Sequence, residues 1–280
     1  MIGLKIIVDS GCDFTEDMKA QNGIRVEKVP LSLQIEGKEF IDDEMLNIET
    51  YLDEMQNASG SPKSAAPSPQ LYMDKFGGED SVFAVTISSK LSCSYQNAEI
   101  AKRAYLSEYK EKFIHVFDSL SASIGETVLV MKINEFIKKN FSEIEIVEKV
   151  NAFIKSSKTL IVLEKYDNLV KNGRIKPYIA KLASLLSIKP ICIGENGEMA
   201  LFDKVRGTKK ALVRVSEIIA AEKLDFERRI LGISHVRCLE KATFLKEEIL
   251  KRVSFKDIII TPAGGLSATY ADAGGIVISY

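Results

Sequence analysis

The sequence predicts an α/β fold of two domains, each with a largely parallel sheet flanked by helices. Short, apolar, β-branched runs recur along the chain, and amphipathic stretches with apolar residues three and four apart lie between them. Strands that alternate with helices over the whole length are typical of parallel sheets covered by helices. A length of 280 residues, of which 46% are hydrophobic, is enough for roughly two domains.

Most predicted strands are nearly continuous apolar runs, as expected of strands buried on both faces. They span residues 5–8, 82–87, 113–117, 160–163, 188–193, 229–233, 257–260 and 275–278. Amphipathic helices are predicted at residues 98–112, 124–139, 142–155, 209–222 and 239–252. One helical pattern ends and a new strand begins near residues 156–158, so we expect domains at 1–157 and 158–280.

Two segments in the first domain are less regular. Residues 26–35 alternate loosely and precede the turn signal Glu36-Gly37, which predicts a small hairpin or an edge strand. Residues 59–69 hold three prolines, one glycine and four serines, which indicates a loop. This loop could present small side chains to a cleft, or it could simply link to a helix that starts at Pro69.

Composition excludes several classes of protein. The 38 basic and 39 acidic residues give a net charge of −1 and therefore no overall field that would attract nucleic acid. No apolar run approaches the roughly 18 residues that span a bilayer, and Asp9 ends the first apolar run, unlike a signal-peptide core. We therefore expect a cytoplasmic protein without stable membrane insertion. The four cysteines lie far apart without a zinc-binding spacing, which predicts reduced, unpaired thiols.

Two predicted strands end in hydroxyl-rich turns that open into helices, at residues 86–95 and 118–123. Ligands of open α/β sheets bind beyond the carboxyl ends of strands, where helix amino-termini offer free N–H groups. Serines also cap helices without any ligand. Five hydroxyls in the first turn exceed the need of one cap and favour an anion site, whereas the second turn fits both interpretations equally.

Catalytic signals are few. His115 and His235 both lie inside apolar strand patterns and are interpreted as core residues, and no nucleophile elbow, phosphate loop or dinucleotide fingerprint occurs. The acidic residues 42–44 suggest a solvated helix start more than a metal site. Arg174 and Arg206 flank helix-breaking glycines; arginine suits a carboxylate or phosphate, but position alone favours an ordinary surface role.

Seven motifs occur in order along the chain: IIVDSGCDF (6–14), SAAPSP (64–69), ISSKLSCSYQNA (87–98), VFDSLSASIGE (116–126), LVKNGRI (169–175), KVRGTKKAL (204–212) and TYADAGGIVISY (269–280). Through these motifs the chain resembles, from end to end, the DegV family of bacterial fatty-acid-binding proteins. The resemblance implies two α/β domains with a ligand cleft between them. It also implies a fatty acid with its carboxylate fixed by hydroxyls and its chain buried, no catalysis, and presentation of the lipid to a separate fatty acid kinase that makes acyl-phosphate.

The resemblance also assigns ligand-binding residues. Ser92 matches the family's carboxylate-binding serine, and Cys93 and Ser94 stand where glycine and threonine are common. Ser64 matches a threonine of the proline loop. Ser121, in the second hydroxyl-rich turn, is counted among the ligand-binding residues.

The remaining matches are basic or lie near the carboxyl end. Arg174 and Arg206 match basic positions near the headgroup or the partner surface. The family often has histidine after threonine near its carboxyl end, where this chain has Thr269 and Tyr270. A tyrosine still donates a hydrogen bond to a carboxylate but does not become a cation at neutral pH, so we expect fatty acid binding to survive.

Two other hypotheses stay open, and none of the three requires a cofactor or a metal. An acyl hydrolase or transferase would use Ser92 as its nucleophile, although no partner base is evident in the sequence. Kinship with dihydroxyacetone-kinase subunits implies binding of a small keto-sugar through a histidine. Neither histidine lies in a hydroxyl-rich turn, so this hypothesis ranks last.

Overall fold

The computed structural model describes residues 4–15, 18, 25–78 and 81–280, in which strands and helices alternate. The strands are β1 (Leu4–Asp9), β2 (Val26–Val29), β3 (Ser32–Ile35), β4 (Lys38–Ile41), β5 (Lys63–Ala65), β6 (Ser81–Thr86), β7 (Phe113–Asp118), β8 (Thr159–Val162), β9 (Ile188–Glu195), β10 (Glu198–Arg206), β11 (Ile230–His235), β12 (Asp257–Pro262) and β13 (Ile276–Ser279). The helices are α1 (Ile48–Asn57), α2 (Pro69–Met73), α3 (Ser94–Glu108), α4 (Ile124–Lys138), α5 (Glu143–Ser156), α6 (Asp167–Lys171), α7 (Pro177–Ala183), α8 (Thr208–Ala221), α9 (Leu239–Leu250) and α10 (Gly265–Ala271). A short 3₁₀ turn covers Phe226–Arg228.

The first sheet is parallel and has the strand order β2-β1-β6-β7. Both of its faces are covered, one by α2 and α3 and the other by α4 and α5, which is why its strands read as continuous apolar runs. Its strands all end at one edge, where Asp9, Thr86 and Asp118 are the last residues of β1, β6 and β7. The hydroxyl-rich turns follow at this edge.

The second sheet has the order β10-β9-β8-β13-β11-β12, and it corrects the prediction of largely parallel sheets. Only β11 and β12 pair in parallel; the pairs β10–β9, β9–β8, β8–β13 and β13–β11 are antiparallel. Apolar periodicity shows how deeply a strand is buried but not in which direction it runs. The sequence therefore could not distinguish parallel from antiparallel pairing. The α/β class itself is confirmed, with α8 and α9 packed on one face of this sheet.

A small third sheet, with the order β4-β3-β5, accounts for the two irregular segments. The predicted hairpin forms between β3 and β4 around Glu36 and Gly37, both of which have positive φ. β2 is the edge strand of the first sheet. The proline-rich loop contributes β5, in which Ser64 pairs with Leu33 of β3, and Pro69 begins α2 as predicted. The sheet thereby fixes the position of Ser64.

All eight predicted strands and all five predicted helices are confirmed, with shifts of a few residues at their ends. The sequence missed β10 and the short helices α1, α6, α7 and α10, because β10 is half-exposed and short helices give too few turns for a clear period. Helix α4 contacts β6 of the first sheet as well as β11 and β13 of the second. The boundary at residues 157–158 stays a prediction.

The interpretation of residues 42–44 as a solvated helix start is wrong for Asp42. Its side chain is buried and accepts hydrogen bonds from the backbone N–H groups of Gly265 (3.0 Å) and Leu266 (2.9 Å), so it caps α10. Among the described residues, no cluster of three or more histidine, cysteine or acidic side chains is placed to hold a metal ion. None of the helices in the described ranges is both long and apolar enough to span a bilayer.

Candidate ligand site

An apolar cavity of about 250 Å³ lies where the carboxyl edge of the first sheet meets the second sheet. Its apolar lining comprises Leu31, Ala66, Ile87, Leu91, Leu120, Ala122, Ile161, Leu163, Leu169, Met199, Leu266, Ala271 and Val277. Thr159 and Ile161 of β8 and the adjoining Leu163 line it from alternate positions of one extended segment, which spans about 13 Å. An extended apolar ligand fits this shape.

Three side chains meet at the α6 end of the cavity. The hydroxyls of Ser64 and Tyr270 are 2.8 Å apart, and the guanidinium carbon of Arg174 lies 6.0 Å from the centre of the Tyr270 ring. Arg174 is held in place because its Nε donates to the carbonyl of Leu91 (3.2 Å) and its Nη1 donates to the carbonyl of Asn172. A guanidinium has five N–H donors, so others remain for a ligand. This end of the cavity suits a carboxylate.

Ser92 belongs to the same end because it follows Leu91, whose carbonyl binds Arg174. Its hydroxyl oxygen accepts a hydrogen bond from the backbone N–H of Ser94 (3.2 Å). Within the described ranges no group accepts the Ser92 O–H proton, which leaves this proton available to a ligand. The adjoining Cys93 is exposed and occupies the N-cap position, one residue before α3.

A network of buried polar groups lies beneath the turn that contains Ser92 and holds that turn in place. Asp9 accepts hydrogen bonds from the N–H groups of Gly11 (3.0 Å) and Ile87 (3.0 Å) and from the hydroxyl of Ser94 (2.5 Å). Ser94 also bonds the hydroxyl of Tyr72 at 2.7 Å. Asp9 therefore ties the end of β1 to the end of β6 and to the start of α3.

Glu126 faces this network, and sequence reasoning missed both it and Asp9. Its side chain is fully buried, and neither carboxyl oxygen receives a hydrogen bond from a donor in the described part of the chain. Burial, together with the nearby charge of Asp9, raises the pKa of Glu126 well above its usual range. We therefore treat Glu126 as a neutral acid. A charged residue inside the apolar pattern of α4 was the signal that could have revealed it.

The nine residues predicted to bind ligand fall into two groups. The cavity brings together six of them: Ser64, Ser92, Cys93, Ser121, Arg174 and Tyr270. The other three lie outside its lining.

Each of these three has a different position. Ser94 points to Asp9 and Tyr72, so it supports the Ser92 turn. The hydroxyl of Thr269 lies 2.7 Å from the hydroxyl of Tyr51 and donates to the carbonyl of Gly265 (2.7 Å). Arg206 is exposed at the last position of β10.

The histidines lie where the sequence placed them. His115 is in β7, its ring lies 4.5 Å from the ring of Phe117, and burial lowers its pKa to about 4. His235 is buried at the end of β11, and burial lowers its pKa as well. Neither histidine belongs to the described cavity lining, whose carboxylate, Glu198, is exposed. The lining therefore provides no buried base beside Ser92.

A parallel sheet edge rich in hydroxyls, an adjoining mixed sheet and a long apolar cavity between them define an α/β protein built around a hydrophobic ligand site. The chain belongs to the DegV family, whose model matches residues 3–280. A DegV domain-containing protein of Streptococcus gordonii is 37% identical over 278 residues, which cover 99% of this chain and 98% of that protein.

Two solved structures are similar over the full length. A DegV family protein from Ruminococcus gnavus with vaccenic acid is 37% identical, with a TM-score of 0.94 and complete coverage of both chains. The Fatty Acid Kinase (Fak) B3 protein of Streptococcus pneumoniae, loaded with linoleic acid, is 34% identical with a TM-score of 0.90 and covers 100% of this chain and 99% of its own.

Proposed function

We propose that this protein binds a long-chain fatty acid without catalysis and presents the carboxyl group to a partner fatty acid kinase. The observation that carries the proposal is the long apolar cavity with its hydrogen-bond donors gathered at one end. Ser64, Ser92, Tyr270 and Arg174 would bind the carboxylate, and the apolar lining would bury the chain. The lipids bound by the R. gnavus and S. pneumoniae proteins support the ligand class.

The energetics favour retention of such a ligand. Burial of a sixteen-carbon chain at about 0.8 kcal/mol per methylene gains on the order of 10 kcal/mol before the loss of ligand freedom is subtracted. A buried carboxylate needs hydrogen bonds to offset its desolvation. The chain therefore supplies most of the affinity, and the donors set the orientation of the headgroup.

The partner and the location are parts of the same proposal. The name of the Fatty Acid Kinase (Fak) B3 protein supports a kinase partner. We propose that this partner acts in the cytoplasm and uses the bound lipid to form acyl-phosphate. Arg206 and Cys93 are exposed, as a residue that touches such a partner must be. We assign the protein itself no catalytic role, and no nucleic acid partner.

The decisive experiment is mass spectrometry of the organic extract from the purified, denatured protein, followed by refolding and titration with palmitic acid. We expect one equivalent of a long-chain fatty acid from the native protein. Ser92→Ala should weaken binding by at least tenfold, because a hydrogen bond to a charged group is worth about 1.5–3 kcal/mol. Ser107→Ala, an exposed serine of α3 outside the cavity lining, is the matched control.

Three outcomes would contradict the proposal or part of it. An extract without lipid, together with no binding of palmitic acid by the refolded protein, would remove the assigned function. Retention of full affinity by Ser92→Ala would remove Ser92 from the headgroup site. Hydrolysis of an acyl ester that Ser92→Ala abolishes would instead favour the acyl hydrolase.

A further inference from the structure

The headgroup end of the cavity is assembled around the short helix α6. Ser64 lies in β5, Tyr270 lies in α10, and Arg174 follows α6, so the three residues come from distant parts of the chain. Asn168 of α6 and Asn172, its C-cap residue, are four positions apart and therefore share one face of the helix. Both asparagines form hydrogen bonds with the segments that carry the headgroup residues.

Asn172 is bonded to the segments of Ser64 and Arg174. Its side-chain amide donates to the carbonyl of Pro62 (2.9 Å), two residues before Ser64. Its backbone carbonyl accepts a hydrogen bond from the guanidinium of Arg174. Ser64 is also fixed by the pairing of β5 in the third sheet, and Arg174 by the carbonyl of Leu91. Each of these two headgroup residues therefore has more than one support.

Asn168 joins the segment of Tyr270 to the segment of Ser64. Its side-chain amide donates to the carbonyl of Thr269 (2.9 Å), the residue before Tyr270. Its side-chain oxygen accepts a hydrogen bond from the hydroxyl of Ser61 (3.1 Å), three residues before Ser64. One amide group thus holds the two segments at a fixed separation.

Tyr270 needs this support because it borders two cavities. One is the ligand cavity, and the other is a polar cavity of about 180 Å³ that Asn168 also lines. A ring with open space on two sides is held less firmly by packing than a ring enclosed by side chains. Asp42 and Tyr51 also form hydrogen bonds with α10, but they come from other segments of the chain. Asn168 therefore links α10 directly to the loop before β5.

The separation of Ser64 and Tyr270 determines how this pair of hydroxyls binds a carboxylate. Their oxygens are 2.8 Å apart, so one hydroxyl donates to the other, whichever of the two is the donor. The second O–H proton has no acceptor in the described ranges and stays available to a ligand. Because the hydroxyl that keeps this proton also accepts a hydrogen bond, it is the stronger donor for it. Movement of Tyr270 away from Ser64 would remove this advantage.

We infer that Asn168 is a positioning residue for headgroup recognition, which holds Tyr270 within hydrogen-bonding distance of Ser64 and so favours a free carboxylate over an uncharged ester of the same chain. This inference rests on the fatty acid binding proposed above. Asn168 does not belong to the lining of the ligand cavity, so its effect on the headgroup passes through Tyr270. A hydrogen bond to a carboxylate is roughly twice as strong as one to a neutral ester, which is why the ester is the right comparison.

The test is a double-mutant cycle, measured by calorimetric titration of the delipidated protein with palmitic acid and with methyl palmitate. We expect Asn168→Ala and Tyr270→Phe each to weaken binding of palmitic acid by about three- to tenfold, the range of a net hydrogen bond. The double variant should bind palmitic acid within about twofold of Tyr270→Phe, because the two residues act on one contact. Methyl palmitate should bind to all four proteins within about twofold of the same affinity.

Asn97→Ala is the matched control. The side-chain amide of Asn97 also donates to a backbone carbonyl, that of Pro67 (2.8 Å), but Asn97 lines neither cavity. This variant loses a hydrogen bond of the same kind and should bind palmitic acid within about twofold of the wild type.

The possible results separate this inference from the proposed function. Failure of the wild-type protein to bind palmitic acid overturns both. Undiminished binding of palmitic acid by Asn168→Ala or by Tyr270→Phe, or an equal loss for palmitic acid and methyl palmitate, overturns only this inference. Additive losses in the double variant overturn the route through Tyr270. If Asn168→Ala does not fold, Asn168→Ser, whose side chain is too short to bond both Ser61 and Thr269, gives the same comparison.

Discussion

Gly125 makes room for the hydrogen-bonded pair formed by the hydroxyls of Ser121 and Thr159, which are 2.7 Å apart. A Cβ atom at this position would lie 2.0 Å from the Ser121 Oγ and 3.3 Å from the Thr159 Oγ1. Gly125→Ala gains helix propensity in α4 but must displace the pair, so we expect a net loss of about 1–3 kcal/mol in the free energy of unfolding. Urea denaturation measures it, and a variant as stable as the wild type would show that the pair can move freely.

Asp9 and Glu126 face each other in one buried site, where burial raises the pKa of both carboxyls, and the donors Ser94, Ile87 and Gly11 favour the charged form of Asp9. Because Glu126 is a neutral acid, Glu126→Gln keeps its size and charge and should change the free energy of unfolding by less than about 1 kcal/mol. Asp9→Asn turns an acceptor of three hydrogen bonds into a partial donor and should cost about 2–4 kcal/mol. Urea denaturation of both variants at neutral pH gives the two values. The reverse order would mean that Glu126 carries the charge.

The sequence motifs singled out Ser64, Ser92, Arg174 and Tyr270, and all four line the cavity; their role in binding a carboxylate stays a prediction. The sequence did not identify Asp9, Glu126 or Thr159, since their roles depend on contacts between positions far apart in the chain. Thr159 meets Ser121 across 38 positions, and Asp9 meets Ser94 across 85. Ser94 and Thr269 belong to the motifs, but their side chains turn away from the cavity to bond buried partners.

At the scale of elements, α10 depends on a cap from another part of the chain. Burial raises the pKa of Asp42 to about 6, even though Ser10, Leu266 and the charge of Lys28 favour the carboxylate and Asp13 opposes it. Folding therefore takes up a proton at Asp42 between about pH 4 and pH 6. The stability that this proton contributes is complete below pH 4 and is lost as the pH rises through 6.

This titration gives a prediction for Asp42→Asn, which cannot ionise. The free energy of unfolding of the wild type, relative to this variant, should fall by on the order of 3 kcal/mol between pH 4 and pH 7. Urea denaturation of both proteins over this range measures the difference. Asn47→Ala, which removes the exposed cap of α1, is the control and should show no such slope. Parallel pH profiles for Asp42→Asn and the wild type would contradict the assignment.

Apolar periodicity predicts some kinds of helix and strand and not others. It located the buried strands and the long helices because burial on defined faces sets their patterns. It could not give strand direction, as β13 demonstrates, since a strand buried on both faces reads the same either way. The sequence pattern did not predict short helices such as α6 and α10, because tertiary contacts and not a local apolar period stabilise them.

At the scale of the whole molecule, the ligand cavity draws its lining from all three sheets. Ser64 belongs to the third sheet, Ile161 to the second, and Ile87 follows β6 of the first. A bound chain should therefore stabilise the fold as one unit. Palmitic acid at a hundred times its Kd should add about 2.7 kcal/mol to the free energy of unfolding and raise the Tm by several degrees.

Differential scanning calorimetry of the delipidated protein with and without palmitic acid measures this stabilisation. Butyric acid, which has the same carboxyl group but a short chain, is the control and should leave the Tm unchanged at the same concentration. A Tm insensitive to palmitic acid would contradict ligand binding in the cavity.

The position of β13 has a consequence for the order of folding. The strands β10, β9 and β8 lie on one side of it and β11 and β12 on the other, yet the ribosome makes β13 after all five. Before β13 emerges, the two groups of strands have no common partner, and the edges of β8 and β11 are unpaired. During synthesis the second sheet is therefore two separate fragments that join only once β13 has been made, whereas the strands of the first sheet are all made by residue 118.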